Sequence, residues 1–216
     1  MNEKQEIDNL HIVDHPLVLH KLSHLRERDT PTTNFKLLLR EIALLIGYEI
    51  TRNLEMTNKS VETPVSTATV PILLGPKPAI VPILRAGLGM AVGLEELLPT
   101  APVGHIGLYR DPDSHRPVEY YVRLPESKNR IFILVDPMLA TGYSASYAVD
   151  ILNKHGIPDE RIRFMAMVAA PEGMAAFNEK HKKVEVWAAA LDKKLNEKAY
   201  IVPGLGDAGD RLFGTI

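Results

Sequence analysis

The sequence predicts an α/β fold, with a mainly parallel sheet flanked by helices. Short apolar runs, which are typical of buried strands, alternate along the chain with stretches of helical composition. Strands that alternate with helices of about 10 to 15 residues indicate right-handed βαβ crossovers, and therefore parallel strand pairs. No repeat, low-complexity tract or Gly/Ser linker divides the 216 residues, so we expect a single domain over residues 1–216.

The elements are predicted in order along the chain. An amphipathic helix is expected over residues 35–54, where apolar side chains recur at helical spacing after Pro31, and it belongs to a helical N-terminal arm of about residues 15–55. The predicted strands are 79–84, 103–109, 131–136, 163–170 and 184–190. The predicted helices that alternate with them are 90–98, 144–155 and 172–181.

Two segments do not fit this alternation. Residues 111–128 begin with turn residues, pass through the β-like run VEYYVRL and end in a polar stretch, which indicates a projecting β-hairpin or a flexible flap. Residues 191–216 contain YIVPGLGDAGD, which is too rich in glycine and proline for a regular element. Ligands of open α/β sheets bind beyond the carboxyl ends of the strands, so the loops that follow strands are the places to look for a site.

The composition argues against several classes of function. The chain has 25 Lys and Arg against 27 Asp and Glu, so it lacks the basic stripe that binds nucleic acid or an anionic membrane. It contains no cysteine, which excludes a disulfide, a thiolate nucleophile and a thiolate metal site. The N-terminus MNEKQEIDNLHIVDH has no apolar signal-peptide region, and no segment approaches about 18 uninterrupted apolar residues, so we expect a cytoplasmic protein.

The strongest local pattern is IFILVDPMLATGYSAS, at residues 131–146. A buried strand ends at the carboxylate of Asp136, and a short loop with Thr141, Gly142 and Ser144 then opens a helix. Unpaired N–H groups and the positive dipole end make such a helix start an anion site, and phosphate is its natural ligand. Asp136 could accept hydrogen bonds from sugar hydroxyls or from the waters of a Mg²⁺ ion. A purely structural explanation, in which Thr141 or Ser144 caps the helix, fits the same residues.

Two arginines follow two other predicted strands. Arg85 lies in AIVPILRAGLGM beside Gly87 and Gly89, where the backbone can closely approach a ligand. Arg110 follows the predicted strand in GHIGLYRDP. Taken singly, each arginine is more typical of the surface or of an ion pair. Together with the anion loop, the two cations suit a diphosphate.

The segment GLGDAG at residues 204–209 matches the Gly-x-Gly-x-x-Gly pattern of dinucleotide-binding loops, but its context does not match. Pro203 precedes it and only residues 210–216 follow, too few for the second strand and for the acid about 20 residues further on that the pattern requires. The glycines instead allow a tight loop that presents backbone groups to a flat polar ligand, and Asp207 could meet a metal or a phosphate-bound water. A Walker A sequence is also missing, and GYSAS at 142–146 lies too far from the strand end for a hydrolase nucleophile.

With these residues in hand, the chain resembles the uracil phosphoribosyltransferase family over almost its whole length after about the first ten residues. The matching segments are HPLVLHKL at 15–22, VPILRAGLGM at 81–90, GHIGLYRDP at 104–112, VDPMLATGYSA at 135–145, AAPEG at 169–173 and YIVPGLGDAGDRLFGT at 200–215. The resemblance implies the α/β core of type I phosphoribosyltransferases, a flexible loop over the active site, and a C-terminal hood of about residues 191–216 over the pyrimidine.

The resemblance also implies a role for each candidate residue. Asp136 would lie at the ribose hydroxyls of phosphoribosyl diphosphate, Arg85 and Arg110 would hold its diphosphate, and Asp207 would support Mg²⁺ through water or the diphosphate. The phosphoribosyl diphosphate loop would comprise Asp136, Pro137, Met138, Leu139, Ala140, Thr141, Gly142, Tyr143 and Ser144, of which Ala140 to Ser144 would surround the 5-phosphate. The hood residues at uracil, acting largely through backbone atoms, would be Tyr200, Ile201, Gly206 and Ala208.

The implied reaction converts uracil and phosphoribosyl diphosphate into UMP and diphosphate, in pyrimidine salvage. Many family members are dimers or higher homo-oligomers and some are activated by GTP, so both are expectations for this chain. One departure lies in the phosphate loop, where Tyr143 replaces a glycine that is usual in the family. If that position needs a positive φ, tyrosine would be strained there by about 1 kcal/mol or more and the loop would bind phosphoribosyl diphosphate more weakly.

Two other functions compete with this one. A nucleotide-sensing regulator could keep the fold and bind RNA, although the balanced charge argues against it. A transferase for a different base could share the loops, although the GLGDAG hood is of the uracil type.

Overall fold

The computed structural model describes residues 7–111 and 116–215, and all structural statements below concern those residues. The helices are α1 (Pro16–Arg26), α2 (Thr32–Ile50), α3 (Leu88–Leu97), α4 (Tyr143–Lys154), α5 (Pro171–His181) and α6 (Ala208–Phe213). The strands are β1 (Leu10–Ile12), β2 (Met56–Glu62), β3 (Thr67–Leu73), β4 (Ala79–Leu84), β5 (His105–Arg110), β6 (Pro117–Arg123), β7 (Phe132–Val135), β8 (Met138–Leu139), β9 (Ile162–Ala169), β10 (Glu185–Leu191), β11 (Lys194–Leu195) and β12 (Ile201–Val202).

A central sheet organises the chain. Its strand order is β1-β10-β9-β7-β4-β5-β6, and the short β8 also pairs with β9. Neighbouring strands are parallel throughout, except that β6 runs antiparallel to β5. The prediction of an α/β fold with a mainly parallel sheet is therefore confirmed.

Both faces of the sheet are buried, which explains why its central strands read as continuous apolar runs. Along β7, Ile133 and Val135 face the cluster formed with α1, α2, α3 and α6, while Phe132 and Leu134 face the cluster formed with α4 and α5. The alternation follows from the two-residue period of a strand. The result is a three-layer α/β/α arrangement whose two cores meet at the sheet.

The amphipathic helix predicted at residues 35–54 begins and ends earlier in the structure. Helix α2 spans Thr32–Ile50 rather than residues 35–54, and it begins directly after Pro31. The fixed φ of proline suits the residue that precedes a first helical turn. The helix stops at Thr51, whose N–H and Oγ1 both bond to the carbonyl of Gly47.

A hairpin between α2 and β4 was not predicted. Strands β2 and β3 pair in continuous antiparallel register, from Met56 opposite Leu73 to Glu62 opposite Thr67. None of their residues is fully buried. The sequence MTNKSVE has no regular apolar face, so periodicity gave no signal for this strand.

The segment 111–128 contains the edge strand of the central sheet. The run VEYYVRL lies in β6, and the two strands of this hairpin are joined beyond Arg110, where the N–H of Asp111 donates to the carbonyl of Arg116. Residues 112–115, which belong to the flap predicted from the sequence, lie outside the described part of the chain.

The C-terminal segment forms a small cap on the sheet. The prediction that this segment holds no regular element is wrong, because strands β11 and β12 pair antiparallel and α6 follows them. Leu205, Ala208 and Leu212 of this segment are buried in the core on the α2 face. None of the described helices is long and apolar enough to cross a membrane.

Candidate active site

The loops after β4 and β7 flank the point where the strand order of the sheet reverses. Strand β4 leads through α3 to β5 on one side, whereas β7 leads through α4 to β9 on the other, and β4 and β7 are neighbours. In open α/β sheets the crevice at this switch point is the usual ligand site. Arg85 directly follows β4 and Asp136 directly follows β7, so the fold brings these two predicted residues to one crevice.

The two loops approach each other through a glycine. A Cβ placed on Gly87 would lie 2.4 Å from the carbonyl oxygen of Val135 and 2.7 Å from that of Ile83. Only glycine fits there without movement of the backbone. Val135 precedes Asp136 directly, so the loop that carries Arg85 lies against the end of β7.

The loop from Asp136 to α4 has the geometry of an anion site. Gly142 is the N-cap residue of α4 with a φ of 79°, and no described side chain caps this helix. Capping by Thr141 or Ser144, the structural alternative, is therefore not what the structure shows. The first N–H groups of the helix remain available to a phosphate, and the dipole favours negative charge there.

The middle of this loop is more ordered than the sequence predicts. Met138 and Leu139 form β8, which continues the sheet beside β9, and the carbonyl of Leu139 accepts from the N–H of Ala170. Pro137 and Leu139 are buried, so their side chains support the loop rather than line a ligand site. Thr141 and Ser144 are half-buried, at the mouth of the anion site.

Tyr143 is not strained. It is the first residue of α4, and it is not among the described non-glycine residues with positive φ, which are Lys128, Asn129 and Ala199. The left-handed conformation belongs to Gly142 instead. The condition for strain at Tyr143 is therefore not met, and its side chain, 59% exposed, leaves the helix start open. Backbone strain at Tyr143 therefore gives no reason for weaker binding of phosphoribosyl diphosphate.

Arg85 is exposed, and its guanidinium lies over the ring of Phe213, 5.4 Å from the centroid. This contact brings the end of α6 beside the loop after β4. Arg110 ends β5, which is parallel to β4, so its backbone lies at the same edge of the sheet. The Arg110 side chain lies outside the described part of the structure, so its predicted role stays a prediction.

The hood residues predicted at uracil differ in exposure. Ile201 and Ala208 are buried, whereas Gly206 and Asp207 are exposed and Tyr200 is 43% exposed. Because the side chains of Ile201 and Ala208 face the core, only their backbone groups are suited to contact a ligand. This agrees with recognition of a flat polar ring by main-chain N–H and C=O groups.

Arg211 fixes this segment to the N-terminal helices, a role that no local sequence pattern indicates. Its guanidinium donates to the carbonyls of Leu25, Glu27 and Leu205, and it lies 4.4 Å from the centroid of the Phe35 ring. Burial lowers the pKa of Arg211 from its ordinary value. An arginine stays charged at neutral pH despite such a shift, so the hydrogen bonds from Arg211 to these carbonyls persist.

The acidic residues fit a Mg²⁺ ion that arrives with a substrate. No three His, Asp or Glu side chains cluster as a metal site within residues 7–111 and 116–215. Asp207 caps α6 by accepting from the N–H of Asp210 through Oδ1, and Asp136 is half-buried at the strand end. Mg²⁺ commonly uses one or two carboxylates, substrate phosphates and retained waters, so a carboxylate such as that of Asp207 has the chemistry that the ion requires.

Comparisons with known proteins agree on one family. The sequence model of uracil phosphoribosyltransferase matches residues 12–215. Uracil phosphoribosyltransferases of Paraburkholderia phymatum and Burkholderia thailandensis are each 60% identical over 215 residues, which cover 100% of this chain and 99% of each relative. The solved AQ2163 protein from Aquifex aeolicus has a TM-score of 0.89 at 36% identity, over 94% of this chain and 97% of that one.

A more distant structure shares the fold alone. The adenine phosphoribosyl transferase of Trypanosoma brucei has a TM-score of 0.57 at 12% identity, over 88% of this chain and 87% of that one.

Proposed function

The chain belongs to the uracil phosphoribosyltransferase family, and from that premise we propose that it transfers the 5-phosphoribosyl group of phosphoribosyl diphosphate to N1 of uracil. The products are UMP and diphosphate, and the role is pyrimidine salvage. The observation that carries the proposal is the convergence of Arg85, Asp136 and the uncapped start of α4 at the switch point of the sheet.

The reaction needs a charged protein group at each end of the bond that breaks. Cleavage at the anomeric carbon leaves positive charge on the ribose and negative charge on the diphosphate. Asp136 is assigned to the ribose, where its carboxylate binds the hydroxyls and favours the developing cation. Arg85 and Arg110 are assigned to the diphosphate, and the α4 start to the 5-phosphate.

Mg²⁺ is part of the proposal, and it would neutralise part of the diphosphate charge as that group leaves. Asp136 and Asp207 are the residues suited to hold it, directly or through its waters. The hood supplies the base site, where backbone groups of Ile201, Gly206 and Ala208 orient uracil.

We further propose that two copies of the chain associate. Hairpin β2–β3 has no fully buried residue, and Met56, Val65 and Leu74 at or beside it are 53%, 93% and 53% exposed. An isolated two-stranded hairpin is marginal in water, and a second copy packed along it would cover these exposed apolar side chains. Light scattering is expected to give at least twice the mass of one chain, and a strictly monomeric mass would contradict the proposal.

The reaction is tested by measuring UMP formation from uracil and phosphoribosyl diphosphate with Mg²⁺. We expect turnover with uracil and not with cytosine or hypoxanthine. Chelation with EDTA is expected to abolish turnover and added Mg²⁺ to restore it, because the diphosphate leaves poorly without neutralisation. Addition of GTP is expected to raise the rate, an expectation that rests on the family resemblance alone.

The alternatives give different results in the same set of measurements. Turnover with another base would identify a transferase of different specificity. If no base reacts and RNA binds with strong salt dependence, the chain is a regulator on the same fold.

A further inference from the structure

A largely buried ion pair joins Asp192, at the start of the hood, to Arg26 of α1. Arg26, the last residue of α1, donates from both Nη atoms to Asp192, at 2.7 and 2.9 Å. The Asp192 side chain is 5% exposed and that of Arg26 is 21% exposed. Two-point contact between a guanidinium and a carboxylate fixes both groups in orientation.

The pair holds one residue of the hood by both of its backbone groups. The N–H of Gly204 donates to Oδ2 of Asp192 at 2.9 Å, and the carbonyl of Gly204 accepts from Nη1 of Arg26 at 2.8 Å. Gly204 opens GLGDAG and lies between Ile201 and Gly206. The position of the proposed base-binding loop is thus set by two side chains that belong to neither the loop nor α6.

Both residues of the ion pair are attached to the core of the fold. The N–H of Asp192 donates to the carbonyl of Ala169, the last residue of β9, at 2.8 Å. Arg26 is carried by α1, whose Leu22 and Leu25 are buried in the core. The ion pair therefore connects Gly204 to the carboxyl edge of the sheet and to an N-terminal helix.

A largely buried ion pair adds little to the free energy of unfolding. Desolvating two charges offsets much of their attraction, and apolar residues of similar size often stabilise as well or better. Apolar residues could not supply directed hydrogen bonds to both the N–H and the carbonyl of Gly204. The arrangement therefore serves the position of the loop more than the stability of the core.

We propose that Arg26 and Asp192 are positioning residues that set the affinity for the pyrimidine base. The inference rests on the proposed function, and it names residues that the reaction itself does not use. Neither side chain is assigned to a reacting atom, so the effect passes through Gly204 to the backbone groups of Ile201 and Gly206.

The test is steady-state kinetics of Arg26→Gln with each substrate varied in turn. The KM for uracil is expected to rise about tenfold, because a hydrogen bond to a charged group is lost at the loop. The KM for phosphoribosyl diphosphate is expected to stay within about twofold, since the described hydrogen bonds of this pair go to Gly204 and Ala169 and not to the 136–144 loop. A merely structural role would lower the amount of active enzyme and leave both KM values unchanged.

A conservative variant and a matched control complete the experiment. Asp192→Asn keeps the volume and one acceptor oxygen, so a smaller rise of about threefold in the KM for uracil is expected, and this variant carries the test if Arg26→Gln does not fold. Lys21→Gln removes the 2.6 Å pair between Lys21 of α1 and Glu41 of α2, and no described hydrogen bond links this pair to the hood. This control is expected to leave both KM values unchanged.

The outcomes separate the inference from the function on which it rests. Active wild-type enzyme with an unchanged KM for uracil in the folded variants would overturn the inference alone. Equal increases in both KM values would also overturn it, because they would show a general disturbance of the site. Wild-type protein that forms no UMP would overturn the proposed function and this inference with it.

Discussion

Replacing Asp136 with asparagine is expected to lower kcat by about 10²-fold, with little change in folding stability. Loss of one well-placed electrostatic group in an active site has an effect of about this size. Asparagine keeps the shape and an acceptor oxygen, so the ribose can still bind. It has no negative charge to favour the cation that develops on the ribose as the diphosphate leaves. The effect should therefore fall on kcat more than on the KM for phosphoribosyl diphosphate.

The measurement compares steady-state UMP formation and urea unfolding of the wild type and the variant. Asp150→Asn is a matched control, because Asp150 lies on α4 and its carboxylate pairs with Lys180 and with the buried His181, each at 3.4 Å. Neither partner belongs to the proposed site, so this control should stay within about twofold of the wild-type rate. Equal losses in both variants would show that the change acts through the general charge near α4, and Asp136 would lose its assigned role.

The chemistry at the strand ends was predictable because local signals coincide there. Asp136, Gly142 and Arg85 each follow an apolar run that is long enough to identify a buried strand. The parallel arrangement then places the carboxyl ends of such strands at one edge of the sheet, whatever the strand order. The order itself, with β7 beside β4, came only from the structure.

The parts that were missed depend on contacts between distant residues. Arg26 and Asp192 are 166 positions apart, and nothing in their neighbourhoods indicates a pair. Hairpin β2–β3 buries no side chain completely, so its sequence has no regular alternation of apolar and polar residues that would predict it. The backbone strain considered at Tyr143 is absent for a different reason. The residue with the left-handed conformation is one position earlier, at Gly142.

Gly142→Ala is expected to destabilise the protein by about 2 to 4 kcal/mol and to raise the KM for phosphoribosyl diphosphate at least roughly tenfold. Two costs combine at this position. A φ of 79° is unfavourable for alanine by about 1 to 2 kcal/mol. In addition, the new Cβ would lie 2.6 Å from the carbonyl oxygen of Gly173 and 3.2 Å from the backbone nitrogen of Phe177, so the loop must move away from α5.

The chain contains its own control for the first of these costs. Gly156, just beyond the other end of α4, has the same φ of 79°, but a Cβ there would meet nothing within 4 Å. Gly156→Ala therefore carries only the conformational cost, about 1 to 2 kcal/mol in urea unfolding, and leaves both KM values unchanged. The difference between the two variants measures how tightly the phosphate loop is packed against α5. If that difference is near zero, the loop relaxes freely. If Gly142→Ala folds with an unchanged KM for phosphoribosyl diphosphate, the start of α4 does not bind the 5-phosphate, and the uncapped N–H groups need another explanation.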